Sequence, residues 1–215
     1  MLPIGDDNSQ RRRFPIATYA LIAINIYVFI LELMGGDTFI YAWSFIPVRF
    51  LSSPIDGIIT LFTSMFLHAG WMHLGGNMLY LLIFGDNVED RFGHFKFLVF
   101  YVLCGLAAGL AQYAVSLYSE SPTLGASGAI AGVLAAYLIL FPGKRVRVIL
   151  AVWIVNLPAL LVIGAWIVIQ LVSGLGTLSD APATGGVAYM AHIGGFAAGL
   201  FLTGFFRKRA RQITF

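Results

Sequence analysis

Ser127 and His192 are the nucleophile and base candidates of this 215-residue chain. Ser127 lies in TLGASGAIAG (123–132) and His192 in AHIGGFAAG (191–199). A serine hydroxyl attacks a carbonyl only when a neighbouring base takes its proton. Both residues stand among small side chains spaced four apart: Gly128, Gly132 and Ala136 beside the serine, Ala191, Gly195 and Gly199 beside the histidine. Faces of this kind let helix backbones approach closely, as a direct bond between two short side chains requires. Acyl transfer also needs donors for the oxyanion. His73 and Asn77, four apart in WMHLGGNM (71–78), share one helix face and could supplement the backbone N–H of Ser127. A packing alternative stands beside each reading. Interhelical hydrogen bonding alone explains Asn25, Asn156 and Gln170, and at this point it stays open for His192, His73 and Asn77.

Other chemistries fit less well. GASGA is not a G-x-S-x-G elbow, because Ala129 holds the last position. There is no H-E-x-x-H, and His68 and His73 are five apart with no carboxylate between them, so neither metal nor cofactor is expected. No acid accompanies His192 within its apolar run, and Asp180 is loop-borne, so a dyad is expected rather than a triad. The single cysteine, Cys104, sits in an apolar run and reads as a packing residue.

The elements that must position these groups follow from composition. The chain is 59% hydrophobic and 11% charged, with mean hydropathy +0.87, whereas a soluble domain has about a quarter of its residues charged. Six apolar runs, roughly 15–34, 71–85, 95–117, 124–141, 148–173 and 185–206, are each of a length to cross a bilayer. The spans must be helical, because unpaired backbone groups are too costly in lipid. The expected architecture is an all-α membrane protein: one domain over 1–215, a bundle of six transmembrane helices with a lipid bilayer around it. With the N-terminus cytoplasmic, every one of the 13 lysines and arginines except Arg49 falls on the inside, as the positive-inside rule requires. The formal net charge of +3 is modest, and no nucleic-acid or metal partner is expected. The long first outer loop, about 35–70, is rich in aromatics and is expected to lie partly in the interface. Pro158 would kink the fifth span, and the ends (1–10 and 210–215) read as short tails. Ser127 would lie about 5 Å and His192 about 10 Å below the outer surface.

The chain resembles the rhomboid family of intramembrane serine proteases. The resemblance rests on FLHAGWMHLGGNM (66–78), on Gly85, Glu89 and Gly93 in GDNVEDRFG (85–93), on GASGAIAG (125–132) and on AHIGGFAAG (191–199). Together, on the second, fourth and sixth spans, these motifs are specific. The resemblance implies an intramembrane serine endopeptidase that works through an acyl-enzyme, with Ser127 as nucleophile and His192 as general base. It implies that Asn77, His73 and the Ser127 backbone stabilise the oxyanion, that His68 orders the outer loop and that Gln112 helps hold water. Gly125, Gly128 and Gly195 belong to its supporting frame, and Glu89, Arg91 and Gly93 to a structural loop at the cytoplasmic end. It further implies transmembrane protein substrates cut near the outer leaflet, no cofactor, and the fifth span as gate. The expected location is a prokaryotic plasma (inner) membrane, with both termini cytoplasmic and the active site facing outward. Two positions depart from the pattern. Ala131 stands where several members carry an aromatic that supports the histidine, and the Trp-Arg pair often seen in the first outer loop is absent. A non-catalytic relative that binds membrane-protein clients would lack the reacting pair. A small transporter would spread its polar groups through the membrane or show a repeat.

Overall fold

Glycine and proline punctuate the chain into its elements. The computed structural model describes residues 1–179 and 187–207. A short strand, β1 (Leu2–Asp6), precedes the first long helix, α1 (Ile16–Trp43), which breaks at Gly36, where φ is +58°. Prolines at the first helical turn start α2 (Pro47–Ser52) and α3 (Pro54–Thr63), where a missing N–H costs nothing. A 3-10 turn (Ser64–Phe66) then leads into α4 (Trp71–Phe92). Gly93, at φ +85°, is the sole residue between α4 and α5 (His94–Val115). There follow α6 (Ser127–Leu140), strands β2 (Arg145–Leu150) and β3 (Trp153–Pro158), α7 (Ala159–Ser179) and α8 (Tyr189–Phe206).

Among the described residues, α1, α5, α7 (over Ala159–Gly176) and α8 are each long and apolar enough to cross a membrane. The segment Pro54–Phe66 and α4 pass that test together, bent by 79°. The helix α6 has only 14 residues, about 21 Å against a hydrocarbon core of about 30 Å. Its brevity is compatible with its position. Residues Gly128 to Tyr137 are all buried, and α4, α5 and α8 pack around it. A helix apolar all round belongs inside a bundle. The protein is thus a helical integral membrane protein with α6 at its centre.

Three expectations need correction. The run 148–173 is not one helix: β2 and β3 occupy 145–150 and 153–158, and α7 begins at Ala159. The physical reason is legible in RVRV, where Val146 and Val148 are buried and Arg145 and Arg147 face outward, a period of two rather than 3.6. Pro158 accordingly ends β3 instead of kinking a span. These strands form an antiparallel sheet in the order β1-β2-β3, a small addition to the expected all-α architecture. Second, the loop at 35–70 is largely helical, built from the end of α1, α2, α3 and the 3-10 turn. Third, α8 begins at Tyr189, which leaves His192 about 5 Å along its helix rather than about 10 Å. Asp180, residues 185–186 of the expected last span, and the basic residues beyond Arg207 lie outside the described residues.

A buried carboxylate ties the end opposite Ser127 together. Glu89, fully buried in α4, accepts hydrogen bonds from the N–H groups of Ala17 (2.9 Å) and Thr18 (2.7 Å), from the Thr18 hydroxyl (2.7 Å) and from His94 Nδ1. The first N–H groups of a helix have no intrahelical acceptor; Glu89 supplies one for α1. Alongside, Arg11 Nη1 donates to Asp86 at 2.6 Å, and Asp6 accepts from the Tyr137 hydroxyl (2.6 Å) and Asn87 Nδ2 (2.9 Å), which holds β1 against α4 and α6.

Candidate active site

The nucleophile candidate is placed by the chain leading to it. Phe45 and Thr123 exchange both backbone hydrogen bonds (3.1 and 2.7 Å), Val48 N–H donates to Ser119 O (3.1 Å), and Gly125 N–H donates to Ser64 O (2.8 Å). The first outer loop therefore pins the approach to α6. Gly125 has φ +130°, and a β-carbon there would sit 2.8 Å from His73 Cε1. Only glycine satisfies both the conformation and the space. Ser127 is the first residue of α6, so its backbone N–H is among the unpaired donors at a helix start.

The helices α6 and α8 meet through glycine. A β-carbon on Gly195 would collide with the Gly128 carbonyl, one on Gly199 with the Gly132 backbone, and one on Gly128 would lie 3.5 Å from Ala191 O. This contact carries the small-residue faces noted in the sequence. It brings Ser127 Oγ to 2.7 Å from His192 Nε2, across 65 residues of chain. Both side chains are half-buried.

The candidate donors both lie on α4. Asn77 is buried and its Nδ2 has no protein partner; buried polar groups are otherwise nearly always paired. His73 Nδ1 accepts from the Ala69 N–H at 3.3 Å, so its proton belongs on Nε2, the atom 2.9 Å from a β-carbon placed on Gly125. The arrangement puts the His73 ring and a helix start beside the Ser127 hydroxyl, with Asn77 on the same helix as His73.

His68 is buried and stands edge-on to His73, ring centroids 5.2 Å apart. Its backbone N–H donates to the buried Glu32 carboxylate at 2.9 and 3.2 Å, and its ring nitrogens have no partner. Gln112 Oε1 is buried and has no protein partner.

Two residues of α7 complete the surroundings of His192. Gln170 Oε1 lies 2.7 Å from His192 Nδ1, and the Trp166 ring lies 5.7 Å from the imidazole at 39°. Read as a packing amide, Gln170 does bond between helices, but its partner is the candidate base. Its spacing of four from Trp166, which puts both on one helix face, was the available signal. Trp166 is an aromatic in contact with the His192 ring, whereas position 131 is alanine.

Comparison with known proteins matches residues 56–209 to the Rhomboid domain. The chain is 31% identical over 197 residues to Rhomboid protein 1, mitochondrial, of Saccharomyces cerevisiae, covering 89% of this chain and 53% of that protein. It is 32% identical over 189 residues to Rhomboid protease GluP of Bacillus subtilis, covering 87% of this chain and 34% of that one. Against Rhomboid protease AarA of Providencia stuartii it is 37% identical over 89 residues, 35% of this chain and 32% of the relative. The chain thus spans about half or less of the length of these relatives.

Proposed function

The chain belongs to the rhomboid family, and from that premise we propose that it is an intramembrane serine endopeptidase acting on transmembrane proteins near the outer leaflet. The observation that carries this reading is the 2.7 Å contact between Ser127 Oγ and His192 Nε2, a nucleophile and base in reach of each other. Two relatives bear the name rhomboid protease.

In this mechanism the Ser127 hydroxyl attacks a peptide carbonyl as its proton passes to His192 Nε2. The negative oxygen that forms is held by Asn77 Nδ2, His73 Nε2 and the Ser127 N–H. His192 then returns the proton to the leaving amine, and water, activated by the same base, hydrolyses the acyl-enzyme. Water has a place beside the serine. A cavity of about 30 Å³ is lined by Ser64, Thr123, Gly125 and Ser127 among others, and one water needs about 10–15 Å³ on that measure.

The membrane arrangement follows. The helices α1, α4, α5, α6, α7 and α8 are the six spans. Arg13, Arg91, Lys144 and Arg207 lie next to the ends of α1, α4, α6 and α8 remote from Ser127. By the positive-inside rule those ends face the cytoplasm and the serine faces outward, in a prokaryotic plasma membrane with cytoplasmic termini. His68 orders the outer loop through Glu32, and Gln112 serves as a buried acceptor for water.

The test compares wild type, Ser127→Ala and His192→Ala reconstituted in vesicles with a transmembrane substrate, together with labelling by a serine-directed fluorophosphonate. Both variants lose cleavage and labelling while keeping the wild-type melting temperature. Unchanged turnover in either refutes the dyad. A folded wild type that neither cleaves nor labels points instead to a protein that only binds its membrane clients.

A further inference from the structure

We propose that Gln170 is the positioning residue of His192, and that α7 thereby holds the base in its reactive tautomer. The inference rests on the protease reading above and concerns how that site is kept competent.

A neutral imidazole carries one proton, and only Nε2 faces the serine. His192 is a base toward Ser127 only if that proton sits on Nδ1. In hydrolases that use a triad, a carboxylate accepts the Nδ1–H and selects this tautomer. Among the described residues, no carboxylate does so. The acceptor 2.7 Å from Nδ1 is the amide oxygen of Gln170, a residue itself almost fully buried. An amide oxygen accepts and cannot donate, so this contact stabilises Nδ1–H and leaves the Nε2 lone pair directed at the hydroxyl. Without it, the imidazole is free to put its proton on Nε2, where it would donate to Ser127 Oγ and block deprotonation.

The proton balance fits a neutral partner. On attack, the Ser127 proton moves to Nε2 and the ring becomes imidazolium. The Nδ1 proton stays on Nδ1, still bonded to Gln170, because an amide is too weak a base to take it. Leaving-group protonation returns the Nε2 proton and restores the starting tautomer. Gln170 therefore fixes geometry and tautomer without adding charge.

The second contact comes from the same helix. Trp166, one turn before Gln170, lies against the imidazole and limits its rotation. Both supports of the base sit on α7, while the nucleophile sits on α6 and the base on α8. Among the described residues, the titratable side chain that acts on the ring from another element is His73, on α4. Any displacement of α7 that separates Gln170 from Nδ1 therefore releases the tautomer although Ser127 and His192 keep their own helices.

The test uses the full-length protein in vesicles and three variants. Gln170→Leu removes the acceptor at similar volume; kcat falls about 10- to 100-fold, the effect of leaving a buried N–H unpaired, while KM stays within about two-fold. Gln170→Glu restores an acceptor; kcat recovers to within about ten-fold of wild type, and the acid limb of the pH–rate profile moves upward, because a carboxylate favours the imidazolium. Trp166→Phe, which keeps a ring, retains most activity. Independently of turnover, 15N-labelled His192 shows the Nδ1–H tautomer in wild type and a mixture or Nε2–H in Gln170→Leu. An Nε2–H tautomer in wild type, or unchanged kcat in Gln170→Leu, overturns the proposal. The nitrogen spectrum needs no catalysis, so it decides the role of Gln170 even if the wild type proves unable to cleave.

Discussion

Replacing Gly195 with alanine separates the candidate base from the nucleophile. A β-carbon at this position sits 2.8 Å from the carbonyl carbon of Gly128 and closer still to its oxygen. Carbon atoms settle at about 3.5–4.0 Å, so α6 and α8 must part by about 0.7–1.2 Å. The obstacle is backbone, which cannot swing aside as a side chain can. Ser127 adjoins Gly128, and the same parting stretches the 2.7 Å contact with His192 to about 3.4–3.9 Å, beyond hydrogen-bond range. A misplacement of about 1 Å costs on the order of 100-fold in rate. Overpacking of this kind destabilises by about 1–3 kcal/mol, so the protein stays folded at assay temperature. The assay is cleavage of a transmembrane substrate in vesicles, with fluorophosphonate labelling and a melting curve on each sample. Gly204→Ala, on the same helix with open space around it, is the control and keeps full activity. Gly195→Ala cleaving at the wild-type rate would refute the inference that the glycine contact sets the reacting distance.

Asn77→Ala lowers kcat by about 10²–10³ through loss of an oxyanion donor, yet shifts the melting temperature little, since Asn77 Nδ2 gives up no protein hydrogen bond; a large loss of stability with normal kcat contradicts this. Glu89→Ala strips the α1 start of its acceptor for three donors and destabilises by about 3–5 kcal/mol, read as a lower melting temperature with cleavage retained below it. Burial raises the Asp6 carboxyl to about 6 from its ordinary 3.8, aided by the nearby Asp86 and opposed by Tyr137 and Lys144. A raised carboxyl favours the folded state most below its unfolded value, and that contribution is lost as pH rises through about 6. Protection factors in β1, taken relative to the intrinsic exchange rate at each pH, are therefore higher at pH 5 than at pH 7.5, and Asp6→Asn removes the difference; equal protection factors in wild type at both values disprove it.

Much was legible in the sequence because membrane physics is local. Apolar length marks helices α1, α5 and α8, and the cost of polar groups in lipid singles out Ser127, His73, Asn77 and His192. The fifth run starts as strand and not as span, and hydropathy does not separate the two, since a short apolar stretch has the same hydropathy in either. Only the RVRV alternation separated them, and it covers four residues.

The sequence by itself determined the class of protein, a helical membrane protein of the rhomboid family, and named the side chains that are candidates to react. The tertiary structure decided which of those meet. Gln170 bonds His192, the Trp166 ring lies against it, and Ser64 and Phe45 hold the approach to the serine. Helical period tells which residues share a face of one helix. Contact between faces of different helices depends on their rotation and separation, which packing of α6 against α4, α5 and α8 sets and no single segment contains.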